Sequence, residues 1–106
     1  MSVSEKFSSE TKAIDHIAIQ SDEPIALAKW YESEFSAEVL YLDDTWAFLQ
    51  FKNIKLAIVH PKQHPAHIAF EVDSFSENDI VKLHRDGSSS AYKKDPSGNI
   101  YELIKY

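Results

Sequence analysis

The strongest constraint on this chain is a strand pattern that occurs twice. The segments DHIAI (15–19) and AHIAF (66–70) each place a histidine inside a short apolar run, and an acidic, serine-containing stretch follows each run. A chain that restarts the same strand-then-helix pattern halfway along is most simply two copies of one βαβββ unit. Such a duplication predicts that the strands carrying His16 and His67 lie side by side, with the last strand of each unit beside them.

The first unit is predicted to begin with a buried strand and a helix. Residues 13–20 are apolar and β-branched, which favours a strand, and its two-residue period predicts that Asp15 and His16 point to opposite faces. Ser21 or Asp22 is expected to cap a helix with Pro24 in its first turn.

Three apolar runs complete the first unit, which ends near residue 60. They are separated by two-residue turn signals, which predicts an antiparallel meander over 37–42, 45–51 and 54–60. Trp46 and Phe48 share one face of the middle run and Leu49 lies on the other, so both faces carry bulky groups. Either a sheet curved around a cavity or an interface between two copies explains this pattern.

The second unit, predicted over residues 66–106, is shorter. After the strand that carries His67, Ser76 is expected to cap a second helix that ends at Gly87. Only the seven residues SSSAYKK separate Gly87 from a DPSG turn, after which a last strand runs to Lys105. The predicted fold is therefore α+β, with two βαβββ-type modules, the second abbreviated to about three strands, and helices outside curved mixed sheets.

Charge and composition exclude several classes of function. The chain has 106 residues, 11 Lys+Arg against 17 Asp+Glu, a net charge of −6 and no cysteine. Without a basic cluster we expect no nucleic-acid or anionic-membrane partner, and without cysteine there is no disulfide framework or thiolate ligand. No apolar run is long enough to span a bilayer and no signal peptide is evident, so we expect a cytoplasmic protein. Residues 1–12 are predicted to be a disordered tail before a single domain over 13–106.

Two histidines at equivalent places in apolar strands indicate a metal site. An imidazole in an apolar strand is costly unless its ring nitrogens have partners, and a core histidine bonded to a carbonyl explains one such residue better than a repeated pair. Glu102, in the last strand, adds a carboxylate at the same end of the sheet. His16, His67 and Glu102 match a facial triad with open positions for substrate or water. These ligands suit Fe(II), Mn(II), Zn(II) or Ni(II), and the sequence does not choose among them.

Two further histidines, His60 and His64, lie in the loop before His67. Their spacing could bring additional imidazoles to a metal. Two prolines direct that loop without implying convergence on a metal, so we expect an exposed loop.

The same motifs resemble those of the vicinal oxygen chelate superfamily. HIAI, HIAFEV and DPSGNIYELIKY carry the resemblance, which spans almost the whole chain after the tail. It implies a glyoxalase-like fold with metal ligands at His16, His67 and Glu102. The fourth ligand place falls on Leu56 or Ala57, neither of which binds a metal, and this resembles the dioxygenase and fosfomycin-modifying branches more than glyoxalase I.

The resemblance also implies a function. It implies a metal-dependent lyase, isomerase or dioxygenase that chelates a small oxygen-bearing substrate, with proton transfer by Glu102 or Glu71. Family members pair as dimers, so a homodimer is expected, with the site built by one chain or across two. Because the strands predicted to be missing help to wall the substrate cavity in the family, the alternative is a non-catalytic module that binds a small molecule or a protein on the same fold.

Four side chains are candidates for substrate contacts. Trp46 and Phe48 are predicted either to line an apolar pocket or to pack against a helix. Tyr92 and Lys94 approach the last strand, where Lys94 could hold an anionic group, although a solvated charge is the simpler interpretation.

Overall fold

The computed structural model describes residues 11–84 and 86–106, which form one helix and one eight-stranded sheet. The elements in chain order are β1 (Ile14–Gln20), α1 (Pro24–Phe35), β2 (Glu38–Leu42), β3 (Trp46–Gln50), β4 (Lys55–Val59), β5 (His67–Glu71), β6 (Lys82–Leu83), β7 (Ser89–Lys94) and β8 (Ile100–Lys105). The strand order across the sheet is β2-β3-β4-β1-β5-β8-β7-β6. The fold class is α+β, as predicted, and most of the predicted tail, residues 1–10, lies outside the described residues.

The sheet consists of two four-stranded modules that meet at β1 and β5. In the first module β1 pairs with β4 in parallel, and β2, β3 and β4 form the predicted antiparallel meander. In the second module β5 pairs with β8 in parallel, and β6, β7 and β8 are antiparallel. Because β1 and β5 pair with each other, the four central strands are β4-β1-β5-β8. The predicted neighbours of the two histidine-bearing strands are confirmed.

Helix α1 covers one face of the first module. It packs against β2, β3 and β4, where Ala28 of the helix, Leu49 of β3 and Ile58 of β4 are fully buried together. Side chains alternate along a strand, so Trp46 and Phe48 lie on the opposite face from Leu49. That opposite face also carries His16 and His67, and we call it the histidine face.

The helix begins without the predicted side-chain cap. Glu23 occupies the N-cap position and no side chain caps the helix. The Ser21 hydroxyl instead accepts a hydrogen bond from the Glu23 backbone N–H at 3.0 Å, which turns the chain ahead of the helix. Pro24 begins the helix, as predicted, because its ring fixes a helical φ where no backbone donor is needed. Within the described part of the chain, no helix is long and apolar enough to cross a membrane.

The predicted helix between Ser76 and Gly87 is wrong. Its capping contact does form, since an Asp79 carboxylate oxygen accepts a hydrogen bond from the Ser76 backbone N–H at 3.0 Å. The other carboxylate oxygen binds Lys93 on β7 at 2.8 Å, which ties this segment to the sheet. The chain then forms the two-residue strand β6, which pairs with β7. The described second module therefore has four strands rather than three, and the element it lacks is the helix.

The outer face of the second module, on the side where α1 covers the first module, is partly open. Ile68 on β5 is 42% exposed and its cross-strand partner Ile17 is 37% exposed. The sequence-based expectation that wall strands are missing is therefore corrected. The shortening leaves the outer face of the second module without a helix. Both modules still contribute strands to the histidine face.

Stability should depend on the core beneath α1. Leu49→Ala is expected to lower the free energy of unfolding by about 2 to 5 kcal/mol, because Leu49 is fully buried and its truncation leaves a cavity. Leu40→Ala on β2, where Leu40 is 46% exposed, is the matched control and should cost clearly less. Urea unfolding of both variants measures the difference, and equal losses would contradict this account of the core.

Candidate metal centre

Three side chains from three adjacent strands meet on the histidine face. Among the described residues, His16 of β1, His67 of β5 and Glu102 of β8 offer ligand atoms that all lie within 4.8 Å of one another. The Nε2 atoms of His16 and His67 lie 3.2 and 3.4 Å from the same oxygen, Oε1 of Glu102. All three residues are buried. One chain thus brings the predicted ligands together without a residue from a second copy.

The strand register explains why these residues meet. Ala69 on β5 pairs with His16 on one side and with Glu102 on the other. His67 lies two residues before Ala69, hence on the same face of the sheet. The pairing of β5 with β1 on one side and with β8 on the other therefore brings the two imidazoles and the carboxylate together.

The hydrogen bonds of the two rings leave three electron-pair donors facing one another. Nδ1 of His67 donates to the Pro65 carbonyl at 2.8 Å, and Nδ1 of His16 donates to the Asp15 carboxylate at 2.7 Å. Because carbonyl and carboxylate oxygens accept, each Nδ1 carries the hydrogen, and in the neutral rings each Nε2 presents a lone pair. The buried Nε2 of His67 has no hydrogen-bond partner, although Glu102 Oε1 is near it. A cation would satisfy all three atoms.

The charges of these groups depend on one another. Burial acts to raise the pKa of Glu102, but the hydrogen bonds and charges of His16 and His67 outweigh it and hold that pKa below its usual range. Burial acts to lower the pKa of His16, and hydrogen bonds to Asp15 and Glu102 raise it overall. Both pKa directions favour positive charge between His16 and Glu102, and a divalent cation would supply such charge.

The fourth ligand place that the family resemblance implies falls on Ala57. Ala18 occupies in β1 the place of Ala69 in β5, and Ala18 pairs with Ala57 just as Ala69 pairs with Glu102. Ala57 is buried and has no ligand atom, whereas Leu56 packs on the core beneath the helix. Register thus decides between the two positions that the sequence left open, and a metal held by the trio would keep open coordination positions.

Aromatic side chains of the first module flank the centre. The ring of Phe48 lies 5.6 Å from that of His16 in a T-shaped contact, and Trp46 lies 5.5 Å from Phe48. Tyr41 stacks on Trp46 at 4.8 Å. Trp46 and Phe48 therefore occupy the histidine face and do not pack against the helix. Their contact with a substrate stays a prediction.

Tyr92 flanks the centre on the opposite side. It pairs with Glu102 across β7 and β8, and its ring lies 5.0 Å from that of His67. The Tyr92 hydroxyl lies 3.5 Å from Nδ1 of His64, which is exposed as predicted for its loop. Lys94, two residue pairs further along β7, is exposed.

Two other candidates lie away from the ligand atoms. Glu71 is exposed at the end of β5, four residues beyond His67, which corresponds to about 13 Å along a strand. Nδ1 of His60, which is half-buried, accepts a hydrogen bond from the Lys62 backbone N–H at 3.2 Å and so shapes the loop. Neither residue belongs to the cluster of ligand atoms found among the described residues.

Sequence-based reasoning missed Asp15, Lys55 and Tyr106. Alternation along β1 predicts that Asp15 points away from His16, but the register of β1 against β5 shifts between Ile14 and His16. This irregularity lets the Asp15 carboxylate reach His16. The only local signal was an acidic residue beside a histidine in an apolar strand, and Tyr106 has no local signal because it meets Asp15 through the tertiary fold.

Comparison with known proteins rests on structure alone. No family model matches the chain. No curated protein matches it either. A hypothetical protein from Bacillus halodurans C-125 is 19% identical with a TM-score of 0.70, over 92% of this chain and 96% of that chain. Methylmalonyl-CoA epimerase from Mycobacterium tuberculosis is 11% identical with a TM-score of 0.74, over 96% of this chain and 94% of that chain. A methylmalonyl-CoA epimerase in complex with methylmalonyl-CoA and NH4+ is 18% identical with a TM-score of 0.68, over 89% of this chain and 94% of that chain.

These neighbours define the fold. The chain shares the glyoxalase-like α+β fold of these structures, which is the fold that the resemblance of its motifs implies. At such low identity the likeness shows the fold, so function has to be argued from the site itself.

Acid stability of the metal-free protein should depend on Glu102. Because its pKa is lower in the folded chain, Glu102 favours folding above the unfolded value of about 4.3, and this contribution is lost as the pH falls below that value. Glu102→Gln should therefore flatten the decline of the urea midpoint between about pH 5 and pH 2.5. Glu34→Gln, at an exposed helix position, is the control and should leave the decline unchanged. Parallel declines in the wild type and Glu102→Gln would contradict the assignment.

Proposed function

We propose that this chain is a metal-dependent enzyme in which His16, His67 and Glu102 hold one divalent cation and present it to a small oxygen-bearing substrate. The observation that carries the proposal is the buried Nε2 of His67, which has no hydrogen-bond partner and lies beside the carboxylate of Glu102. A buried polar atom without a partner is costly, and a metal would remove that cost for all three groups at once.

The donor set fits the proposed cation. Two imidazole nitrogens and one carboxylate oxygen suit Fe(II), Mn(II), Zn(II) or Ni(II), and both rings already carry their hydrogen on the nitrogen that faces away from Glu102. Since Ala57 supplies no fourth ligand, open positions remain for two neighbouring oxygens of a substrate. When bound, such a metal supplies Lewis-acid chemistry, which stabilises negative charge on a coordinated oxygen.

The flanking residues are suited to hold the substrate. Trp46 and Phe48 offer apolar contacts beside His16, and Tyr92 offers a hydroxyl beside His67. Burial, together with the charge of Glu102, raises the pKa of Tyr92, so this hydroxyl keeps its proton at neutral pH and can donate it to a substrate oxygen. Lys94 is exposed further along β7 and could meet only an extended anionic group.

Glu102 is the carboxylate that we propose for proton transfer. It is buried at the centre, whereas Glu71 lies at the far end of β5. Two of the similar structures are named as methylmalonyl-CoA epimerases, so epimerisation of a CoA thioester is the first reaction to assay. Hemithioacetal isomerisation and oxygen uptake with catechols test the lyase, isomerase and dioxygenase alternatives.

Metal binding tests the proposal directly. Calorimetry with Zn(II), Mn(II), Ni(II) and anaerobic Fe(II) should show at least one metal bound with a dissociation constant of about 1 µM or tighter. His67→Ala should weaken that binding by roughly 100-fold or more, since it removes one of three ligands. His60→Ala removes a histidine from the loop before β5, outside the ligand cluster. It is the control and should bind metal like the wild type.

The proposal fails if no metal binds at that level, or if His67→Ala binds as tightly as the wild type. A chain that binds metal but turns over none of these substrates would favour a second candidate function, a non-catalytic binding module. The observation behind this candidate is an open cavity of about 260 Å³ on the outer face of the second module, lined by Ile68, Phe70 and Tyr101 among others.

Pairing of two copies remains a prediction, as does a cytoplasmic location. Ile17 and Ile68 are large apolar side chains left exposed on the outer face, and a second copy could cover them. Sedimentation should then report a dimer, and a monomer at high concentration would refute the pairing.

A further inference from the structure

A buried carboxylate lies directly behind the metal centre and outside the ligand trio. The Asp15 side chain is 5% exposed. Its Oδ2 lies 2.7 Å from Nδ1 of His16 and accepts a hydrogen bond from the Tyr106 hydroxyl at 2.7 Å. Its Oδ1 lies 3.1 Å from Nζ of Lys55. Three donors from separate parts of the chain therefore occupy both carboxylate oxygens.

The sheet brings these donors together. Lys55 on β4 pairs with His16 on β1 in the parallel register, so its side chain lies beside the ring. Tyr106 follows β8 directly, and its hydroxyl lies 3.3 Å from Nζ of Lys55, which also sits 5.2 Å from the centre of the Tyr106 ring. Tyr106 thus completes a cluster whose other members lie on β1 and β4.

This cluster determines the tautomer and the orientation of the His16 ring at the metal centre. Tyr106 and Lys55 donate to Asp15, so the carboxylate acts as an acceptor and the hydrogen of the neutral ring sits on Nδ1. The lone pair of Nε2 then faces Glu102 at 3.2 Å. His67 has only a neutral carbonyl, that of Pro65, in the equivalent role. A carboxylate behind an imidazole both orients the ring and makes it a stronger electron donor.

We propose that Asp15 is a positioning residue for the metal ligand His16, and that Tyr106 and Lys55 hold it in that role. The proposal rests on the proposed function, because it assigns His16 as a ligand. It goes further by assigning a task to three residues that touch neither metal nor substrate. It also predicts that the hydroxyl of Tyr106 influences metal affinity.

The first test observes the His16 ring in the metal-free protein. Nitrogen-15 NMR at a pH where the rings are neutral should show His16 with its hydrogen on Nδ1. In Asp15→Asn, the Lys55 ammonium can only donate, so it should hold the amide oxygen at the place of Oδ1. The NH₂ group then takes the place of Oδ2 and faces Nδ1 of His16, so the ring should shift to the Nε2–H form. Asp22→Asn, which removes one exposed carboxylate beside the helix, is the control and should leave the His16 spectrum unchanged.

The second test measures the affinity for Zn(II) alone by calorimetry. Asp15→Asn should weaken binding by roughly 10- to 100-fold, and Tyr106→Phe by about fivefold because one hydrogen bond to the carboxylate is lost. Tyr101→Phe removes a hydroxyl from β8 on the opposite face, where its ring contacts Phe70, and should bind like the wild type. Circular dichroism before titration confirms that each variant is folded.

The outcomes separate the two proposals. If the wild type binds Zn(II) and Asp15→Asn binds within about twofold of it with the same His16 tautomer, the positioning role is refuted and the metal site stands. If the wild type binds none of the tested metals, the metal site is refuted, and the NMR result still decides whether Asp15 sets the His16 tautomer. A wild-type ring with its hydrogen on Nε2 would overturn the positioning role in either case.

Discussion

The structure depends on the convergence of three electron-pair donors on one buried patch of sheet. Two imidazole nitrogens face a single carboxylate oxygen, and both rings are fixed with their hydrogens turned away from that oxygen. An apolar core would not tolerate such an arrangement without compensation, since burying polar groups without partners is costly. The raised pKa of His16 favours a proton there as one compensation, whereas the buried Nε2 of His67 has no hydrogen-bond partner.

The position of the site within the sheet explains why it survives the abbreviation of the second module. Its ligands lie on β1, β5 and β8, which are central strands held by pairing on both sides. The helix that the second module lacks would have covered the outer face, so its absence exposes Ile68 without moving the histidine face. Helix α1 likewise supports the first module from the side away from the ligands.

The repeated motifs of the sequence predict the strands that carry them. The sequence alone does not predict features that depend on contacts between distant parts of the chain. The duplicated histidine strand predicts the central four strands and the trio, because period-two alternation and a repeat are both local patterns. It could not choose between Leu56 and Ala57, since that choice needs the register of β1 against β4. The helix predicted after Ser76 had a genuine capping contact, but a tertiary bond from Asp79 to Lys93 holds the segment on the sheet instead. Alternation along β1 does not predict the contact between Asp15 and His16, because the register shift beside Asp15 depends on the pairing with β5.

The most direct test of the central claim is a crystal structure with Mn(II), with anomalous scattering measured at the metal's absorption edge. The account predicts one strong anomalous peak at roughly 2.0–2.3 Å from Nε2 of His16, Nε2 of His67 and a carboxylate oxygen of Glu102, with further positions filled by water. Mn(II) bound at full occupancy elsewhere in the structure but absent between these three residues would contradict the account. So would His16 and His67 rings turned so that Nε2 bonds to protein groups.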